Sequence, residues 1–258
     1  MFISDKFIFN GIHSDDMGVA LVTFDSNVFN EYGLNFNSEV SLNRGGRDMS
    51  HFVLGDENIE EVKINIALID KDDNPIPWDN ETIMHITNWL ITDSFVEFVS
   101  EDNVELSYFF KTVKIVKNFN YNKEGYLEIT FQPFSNYAYM KYNKKITVYD
   151  SNSFRINNPS ASNEVYKPII KIKTFEDTPD TIIIENETTG CEPFIIQNLN
   201  PNEVITVDSL LGTVYNDKNE NLLMNCNRKW LNLNRGENKI NILGNAEIDI
   251  KCQFPVVM

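Results

Sequence analysis

The sequence predicts a mainly β protein, in which an N-terminal β domain with one α-helix is followed by a C-terminal all-β sandwich. Apolar and polar residues alternate along most of the 258 residues, as they do when successive side chains of a strand face opposite sides of a sheet. A single segment has helical spacing instead. Beyond that segment the later half of the chain shows only alternating runs, separated by turn residues about every 8–12 positions, as in a sandwich.

The first apolar run begins the stretch FIFNGIHSDDMGV, residues 7–19. An Asn-Gly pair follows Phe7–Phe9 and is a strong turn signal, so the stretch predicts a hairpin whose second apolar run begins at Val19. His13 and the two nearby aspartates would then lie on a solvated hairpin loop.

The same stretch places a histidine, His13, near two aspartates, and these residue types occur in metal sites and acid–base sites. A zinc site would need further ligands, and the other histidines, His51 and His85, stand in no short ligand spacing. The cysteines Cys191, Cys226 and Cys252 lie far apart and form no C-x-x-C pair. The hairpin is therefore the preferred interpretation, and we expect no metal ion, no cofactor and three free thiols.

Period-two alternation predicts the other strands. Residues 62–68 and 248–254 alternate most regularly, which places the thiol of Cys252 in a core. The further strand candidates are 95–99, 104–116, 126–132, 169–173, 181–185, 193–197, 203–207, 212–215 and 239–243.

The stretch WDNETIMHITNWLI, residues 78–91, predicts the single helix. Asp79 is suited to cap its N-terminus. Its apolar residues recur on one face, namely Ile83, Ile86 and Leu90. His85 and Trp89 lie on an adjacent face, and we interpret them as packing or partner contacts.

Residues 70–81 resemble a calcium-binding loop in sequence. Asp70, Asp72, Asn74 and Glu81 occupy four of the usual ligand positions. Such a loop needs glycine at its sharp turn, but the residue there is Pro75, whose φ is locked near about −65°. We therefore predict a polar connection between a strand and the helix.

Residues 133–160 are rich in Tyr, Asn, Ser and Lys and contain few alternating apolar positions. This texture predicts a crossover between two packed units. The predicted domains are 1–142, which contains the helix, and 143–258, a sandwich of the Greek-key or jelly-roll kind.

Composition and motifs exclude several classes of function. The formal net charge of −16 argues against specific nucleic-acid binding, which depends on Lys and Arg that neutralise phosphates. No apolar stretch approaches the ~18 residues of a membrane span, and the N-terminus lacks the features of a secretion signal, so we expect no membrane partner. No G-x-S-x-G, H-E-x-x-H or phosphate-binding glycine loop occurs. We predict no catalytic residue, and the protein is expected not to be an enzyme.

A series of short strand-and-turn motifs runs the length of the chain. Those of the first unit are FIFNGIHSDDMGV, NRGGRDMSHFVLGD, EEVKINIAL, TNWLI and FQPFSNYAY. Those of the second unit are KPIIKIK, TIIIENETTG, FIIQNLNPNEVITVDS and WLNLNRGENKINI. In their order and spacing they resemble the distal tail protein (Dit) family of long-tailed bacteriophages, a siphophage tail component.

This resemblance implies a structural role at the tail tip of the virion, after assembly in the host cytoplasm. In the family, N-terminal belt domains close a homo-hexameric ring around a central channel for DNA passage, and C-terminal galectin-like sandwiches project outward. The ring joins the tail tube protein to a tail-associated hub protein and the receptor-binding protein of the baseplate. The opening stretch would be an edge hairpin of the belt.

A ring built from strands must cover its sheet edges with neighbouring subunits. Arg44 and Arg47 flank two glycines and offer two cations to an acidic neighbour, and a solvated turn is the open alternative. Together with His85 and Trp89 they form the predicted interface.

The alternative function is a carbohydrate-binding or adhesion module that acts through the C-terminal sandwich, with a host surface glycan as its partner. Trp230 and Tyr215 could stack on a sugar ring. A large aromatic side chain in a sandwich more often belongs to the core, and we favour the core for Trp230.

Overall fold

The computed structural model describes residues 4–23, 41–43, 53–55, 59–161, 164–178 and 180–257. Strands dominate and are accompanied by one α-helix, so the predicted mainly β class is confirmed. The chain forms two compact units, which we call the N-terminal and C-terminal units and which meet in the sequence between Tyr139 and Met140. In the described part of the chain, no helix has the length and apolar composition needed to cross a membrane.

Nine described strands precede this boundary, and the helix α1 (Asn80–Leu90) lies among them. The strands are β1 (Phe7–Phe9), β2 (Ile12–His13), β3 (Val19–Leu21), β4 (Ser41–Asn43), β5 (Val53–Gly55), β6 (Val62–Leu68), β7 (Val96–Ser100), β8 (Leu106–Phe119) and β9 (Gly125–Pro133). Seven of them form an antiparallel sheet in the order β3-β6-β9-β8-β7-β1-β2, and β4 pairs with β5 separately.

The sheet is built on the alternation seen in the sequence. Ile64 and Ile66 of β6 are fully buried, and Ile64 pairs with Ile129 of β9. The N–H of Leu21 in β3 donates to the carbonyl of Asp5, just before β1, at 2.8 Å. This bond links the strand at one end of the sheet to the segment that leads into β1 near the other end, so the sheet is curved.

The opening hairpin is tighter than the sequence predicts. Asn10 and Gly11 have φ values of +52° and +75°, as the favoured two-residue hairpin turn requires, and the chain pairs back at once through Ile12–His13. The predicted second run, β3, pairs with β6 instead. His13 therefore lies in a strand, and the aspartates lie in the 3₁₀ turn Ser14–Met17.

The C-terminal unit is a sandwich of two sheets. Its strands are β10 (Ala138–Val148, which begins just before the boundary), β11 (Ser151–Asn158), β12 (Ile169–Thr174), β13 (Thr181–Asn186), β14 (Phe194–Gln197), β15 (Val204–Asp208), β16 (Thr213–Asn216), β17 (Gly236–Leu243) and β18 (Ala246–Val256). One sheet has the order β16-β15-β12-β18-β10 and the other β11-β17-β13-β14. Ile172 and Ile248 of the first sheet share a buried cluster with Ile184 and Ile240 of the second.

The boundary between the two units lies within the predicted crossover of residues 133–160, but β10 and β11 show that this segment contains strands, which is a correction. The inward residues of β10 do alternate, but the sequence Met140, Tyr142, Lys144, Ile146 is interrupted by a lysine, which weakens the signal. Most of β11 is exposed, so its side chains are polar and carry little pattern. The remaining predicted strands are all present.

Candidate assembly surfaces

Helix α1 is fixed at both ends by side chains. The carboxylate of Asp79 accepts the Thr82 N–H at 2.9 Å and the Thr82 hydroxyl at 2.6 Å, and these bonds lower the pKa of Asp79. At the other end the Thr112 hydroxyl donates to the Leu90 carbonyl at 2.6 Å. The buried side chains are Ile83, Ile86, Trp89 and Leu90. The predicted cap and apolar face are confirmed.

Trp89 belongs to the core of the N-terminal unit. It is 8% exposed, and its indole N–H donates to the Phe9 carbonyl at 3.1 Å. Its ring stacks on Phe7 at 5.8 Å and meets Phe9 edge-on at 6.0 Å. These contacts account for Trp89 without a partner subunit, so packing is the interpretation that the structure supports for this member of the predicted interface.

The other helix residue of the predicted interface, His85, is exposed. Two apolar side chains near it in the sequence, Met84 and Ile91, are 61% and 58% exposed. Met84 and Ile91 are seven positions apart and thus share one side of the helix. We call these two residues the helix ridge, because exposed apolar side chains on one side of an element are found at protein contacts. Arg44 and Arg47 lie outside the described residues.

The polar residues of the opening stretch are joined by hydrogen bonds and ion pairs at the surface. The Asp15 N–H donates to His13 Nδ1 at 3.1 Å, so Nε2 carries the proton that faces Glu101 Oε1 at 2.9 Å. Lys6 lies 2.7 Å from Asp15 and 3.2 Å from Asp73. Burial alone would lower the pKa of Lys6, but the bonds to these two carboxylates outweigh it and raise the pKa. Within the described ranges, no three His, Cys, Asp or Glu side chains are grouped as a metal site requires.

The apparent calcium loop is a closed polar turn. The Asp70 carboxylate accepts the N–H groups of Asn74 and Asp72, each at 2.9 Å, and these bonds lower its pKa. Ile69 and Pro75 form an antiparallel bridge across the turn. Asp70, the first residue of the apparent loop, thus binds backbone N–H groups of the same turn. This agrees with the predicted polar connection between a strand and the helix.

Trp230 of the C-terminal unit packs against the core and stacks on Phe194 at 6.1 Å. Gly212, with a φ of +65°, lies against the indole, where an added Cβ would be 3.4 Å from the ring. The core interpretation of Trp230 therefore agrees with the structure. Tyr215 instead stands on the outward face of β16, partly exposed.

The three thiols are free and differ in exposure. Cys191 is exposed, Cys226 is half-buried and Cys252 is buried, and burial raises the pKa of the Cys252 thiol. Titration with a thiol reagent should therefore find three groups per denatured chain, and in the native protein Cys191 should react first and Cys252 last. A Cys191→Ser variant should lose the fast phase. A single reactive group after denaturation would reveal a disulfide and contradict this assignment.

The fold consists of two β units, a sheet with one α-helix followed by a sandwich. The family follows from the sequence: residues 2–135 match the phage tail protein N-terminal domain, and residues 137–252 match the phage tail C-terminal domain. Because the first match alone covers more than half of the chain, the protein belongs to this family of phage tail proteins.

A solved structure of a phage protein shares the fold. The crystal structure of the SPP1 Dit (gp 19.1) protein, described as a paradigm of hub adsorption apparatus in phages that infect Gram-positive bacteria, has 12% identity and a TM-score of 0.59, with 96% of this chain and 98% of that chain covered. A chain of the phage P2 baseplate in its activated conformation with Ca has 11% identity and a TM-score of 0.49, with 97% and 98% covered. No curated protein matches the sequence. The resemblance to the Dit family is confirmed.

Proposed function

We propose that this protein is a distal tail protein whose six copies form a hub ring at the tail tip, around a channel for DNA. The observation that carries the proposal is the Dit fold over 96% of the chain, together with tail-family matches to both halves. The ring would join the tail tube protein to a tail-associated hub protein and the receptor-binding protein. In this role the protein acts by binding its neighbours, without catalysis.

The N-terminal unit offers the surfaces for ring closure. The helix ridge exposes the apolar side chains of Met84 and Ile91, on and directly after a helix that is held at both ends by side-chain hydrogen bonds. A ring uses one patch of each subunit against a different patch of the next, so every ridge would be covered. The galectin-like sandwich would then project away from the belt.

The charge of the assembly suits passage of DNA. Each chain carries −16, so six copies carry six times that charge, −96. Like charges repel at a distance, so duplex DNA should slide through the channel without adhering to it. In a mobility-shift assay at low salt we expect no salt-sensitive binding of duplex DNA at micromolar protein. Such binding would contradict a passive channel.

The direct test of the ring is negative-stain microscopy together with mass measurement of the purified chain, alone and with the tail tube protein. We expect six-fold rings of six chains in at least one of the two samples. A monomer in both samples would contradict the hub proposal.

Aspartate on the helix ridge should block ring assembly. In Met84→Asp/Ile91→Asp, assembly would bury two unpaired carboxylates, so we expect at least a tenfold loss of assembly, about 1.4 kcal/mol or more. Exposed substitutions of this kind should change the stability of the monomer by less than about 0.5 kcal/mol. The matched control is Met224→Asp, because Met224 is 84% exposed in the C-terminal unit. If the ridge variant and the control assemble equally well, the ridge is not the contact.

The C-terminal unit should fold on its own, because its buried cluster draws its side chains from β10 onward. We propose that a fragment of residues 140–258 shows a cooperative thermal transition and dispersed amide resonances. A fragment with neither property would contradict the division into two domains.

A further inference from the structure

The outward face of the five-stranded sheet β16-β15-β12-β18-β10 has an unusual charge for this protein. Its lysines are Lys141, Lys145, Lys171, Lys173 and Lys251. Its carboxylates are Asp208, Glu247 and Asp249. Five cations thus face three anions, whereas the whole chain carries −16. We call this surface the cationic face.

Each of its carboxylates has a partner within the chain, although Oδ1 of Asp249 is buried without a hydrogen-bond partner among the described residues. Asp208 is 7% exposed and accepts the N–H groups of Leu210 and Leu211 at 3.0 and 2.9 Å. Glu247 lies 2.9 Å from Lys145, and Asp249 lies 3.8 Å from Lys251.

Across the β12–β18 ladder, Lys171 lies opposite Asp249 and Lys173 lies opposite Glu247. Both lysines are exposed, and neither forms an ion pair with a described residue. Glu247 and Asp249 are therefore each shared between two lysines, which leaves the face with an excess of positive charge for an external anion.

A neutral polar groove adjoins the cationic face at its edge strand. The groove is lined by Thr213, Val214, Tyr215, Asn219 and Asn221, so an aromatic ring lies among hydroxyl and amide groups. Tyr215 pairs with Thr206, and Thr206 pairs with Lys171, on three successive strands. The backbones of Tyr215 and Lys171 are two strand spacings apart, which is about 9–10 Å. A ligand of two linked sugar rings is long enough to contact both residues.

We propose that the cationic face and this groove bind an anionic saccharide. Tyr215 would stack on one sugar ring, the hydroxyl and amides of the groove would bind its hydroxyl groups, and Lys171 and Lys173 would pair with a carboxylate or phosphate on the next residue. Duplex DNA fits less well, because proteins that bind it use about 6–10 phosphate contacts and this face has few uncommitted cations. The proposal is independent of the hub ring, and either can fail alone.

The test uses the full chain and measures binding by calorimetry at low salt. The probes are oligogalacturonate, which supplies carboxylates, phosphorylated mannan, which supplies phosphates, and unphosphorylated mannan as the neutral control. We expect salt-sensitive binding of at least one anionic probe and at least about tenfold weaker binding of neutral mannan. The anionic probe that binds identifies the source of the charge.

Variants separate the two parts of the surface. The Lys171→Glu/Lys173→Glu variant should bind the anionic probe at least about tenfold more weakly, and Tyr215→Ala should bind it about fivefold more weakly. The control variant, Lys229→Glu/Lys239→Glu, makes the same change of charge elsewhere on the sandwich. It should bind the probe as the wild type does. Absence of binding to both anionic probes would overturn the proposal. It would also be overturned if Tyr215→Ala had no effect and polyphosphate or duplex DNA bound equally well, because the face would then attract any polyanion.

Discussion

Trp89→Ala is expected to destabilise the N-terminal unit by about 3–5 kcal/mol, the range for loss of a buried large aromatic side chain. The indole is 8% exposed, lies between Phe7 and Phe9, and donates its N–H to the Phe9 carbonyl. Alanine would leave a cavity beneath the helix and remove the donor of a buried carbonyl. Scanning calorimetry of the full chain should show the transition of this unit at a clearly lower temperature.

His85→Ala is the matched control, since His85 is on the same helix and exposed. Its effect on stability should stay within about 0.5 kcal/mol. The loss of stability in Trp89→Phe should lie between those of Trp89→Ala and His85→Ala, because phenylalanine keeps an aromatic ring but cannot donate a hydrogen bond to the Phe9 carbonyl. Equal stability of the Trp89→Ala variant and the wild type would mean that the helix is not anchored through this side chain.

The sequence predicts strands best where one face is buried and the other solvated. β6 and β18 alternate over most of their length because each has a core on one side; β6 matches the predicted residues 62–68, and β18 extends the predicted residues 248–254 by two positions at each end. β10 was missed because Lys144 stands at an inward position. The Asn10-Gly11 turn was predicted from local chemistry, but the pairing of β3 with β6 depends on contacts distant in the chain, which no local pattern contains.

Surface features were harder to predict than strands. Helical spacing placed His85 and Trp89 on one face but could not decide between packing and partner contact, because the answer depends on Phe7 and Phe9, eighty residues away in the chain. The cationic face was hard to predict for the same reason, because it too depends on residues that are distant in the chain. Lys171 or Lys251 alone looks like any solvated strand position, and the excess of positive charge emerges when the ladders of neighbouring strands place such residues on one face.

A network of buried amides stabilises the C-terminal unit, and Asn238 is its centre. Asn238 is fully buried, and its Nδ2 donates to the carbonyls of Asn234 and Gly236 at 2.7 and 2.9 Å. Its Oδ1 accepts the Asn186 side-chain N–H and the Asn234 backbone N–H, each at 2.9 Å. Asn186 also donates to the Asn232 carbonyl at 2.7 Å, so the network ties residues 232–236 to β13 and β17.

Asn238→Ala should therefore destabilise the C-terminal unit by roughly 2–5 kcal/mol, because each buried polar group left unpaired costs about 1–3 kcal/mol. Urea unfolding measures the loss, and Asn152→Ala, at an exposed position of β11, is the control that should change little. Asn238→Asp tests the cause. It keeps the shape and the acceptor, but it replaces two donations by a carboxylate oxygen facing two carbonyl oxygens, so it should destabilise at least as much as alanine. If Asn238→Asp left the free energy of unfolding unchanged, Asn238 would contribute by filling space and not by its hydrogen bonds.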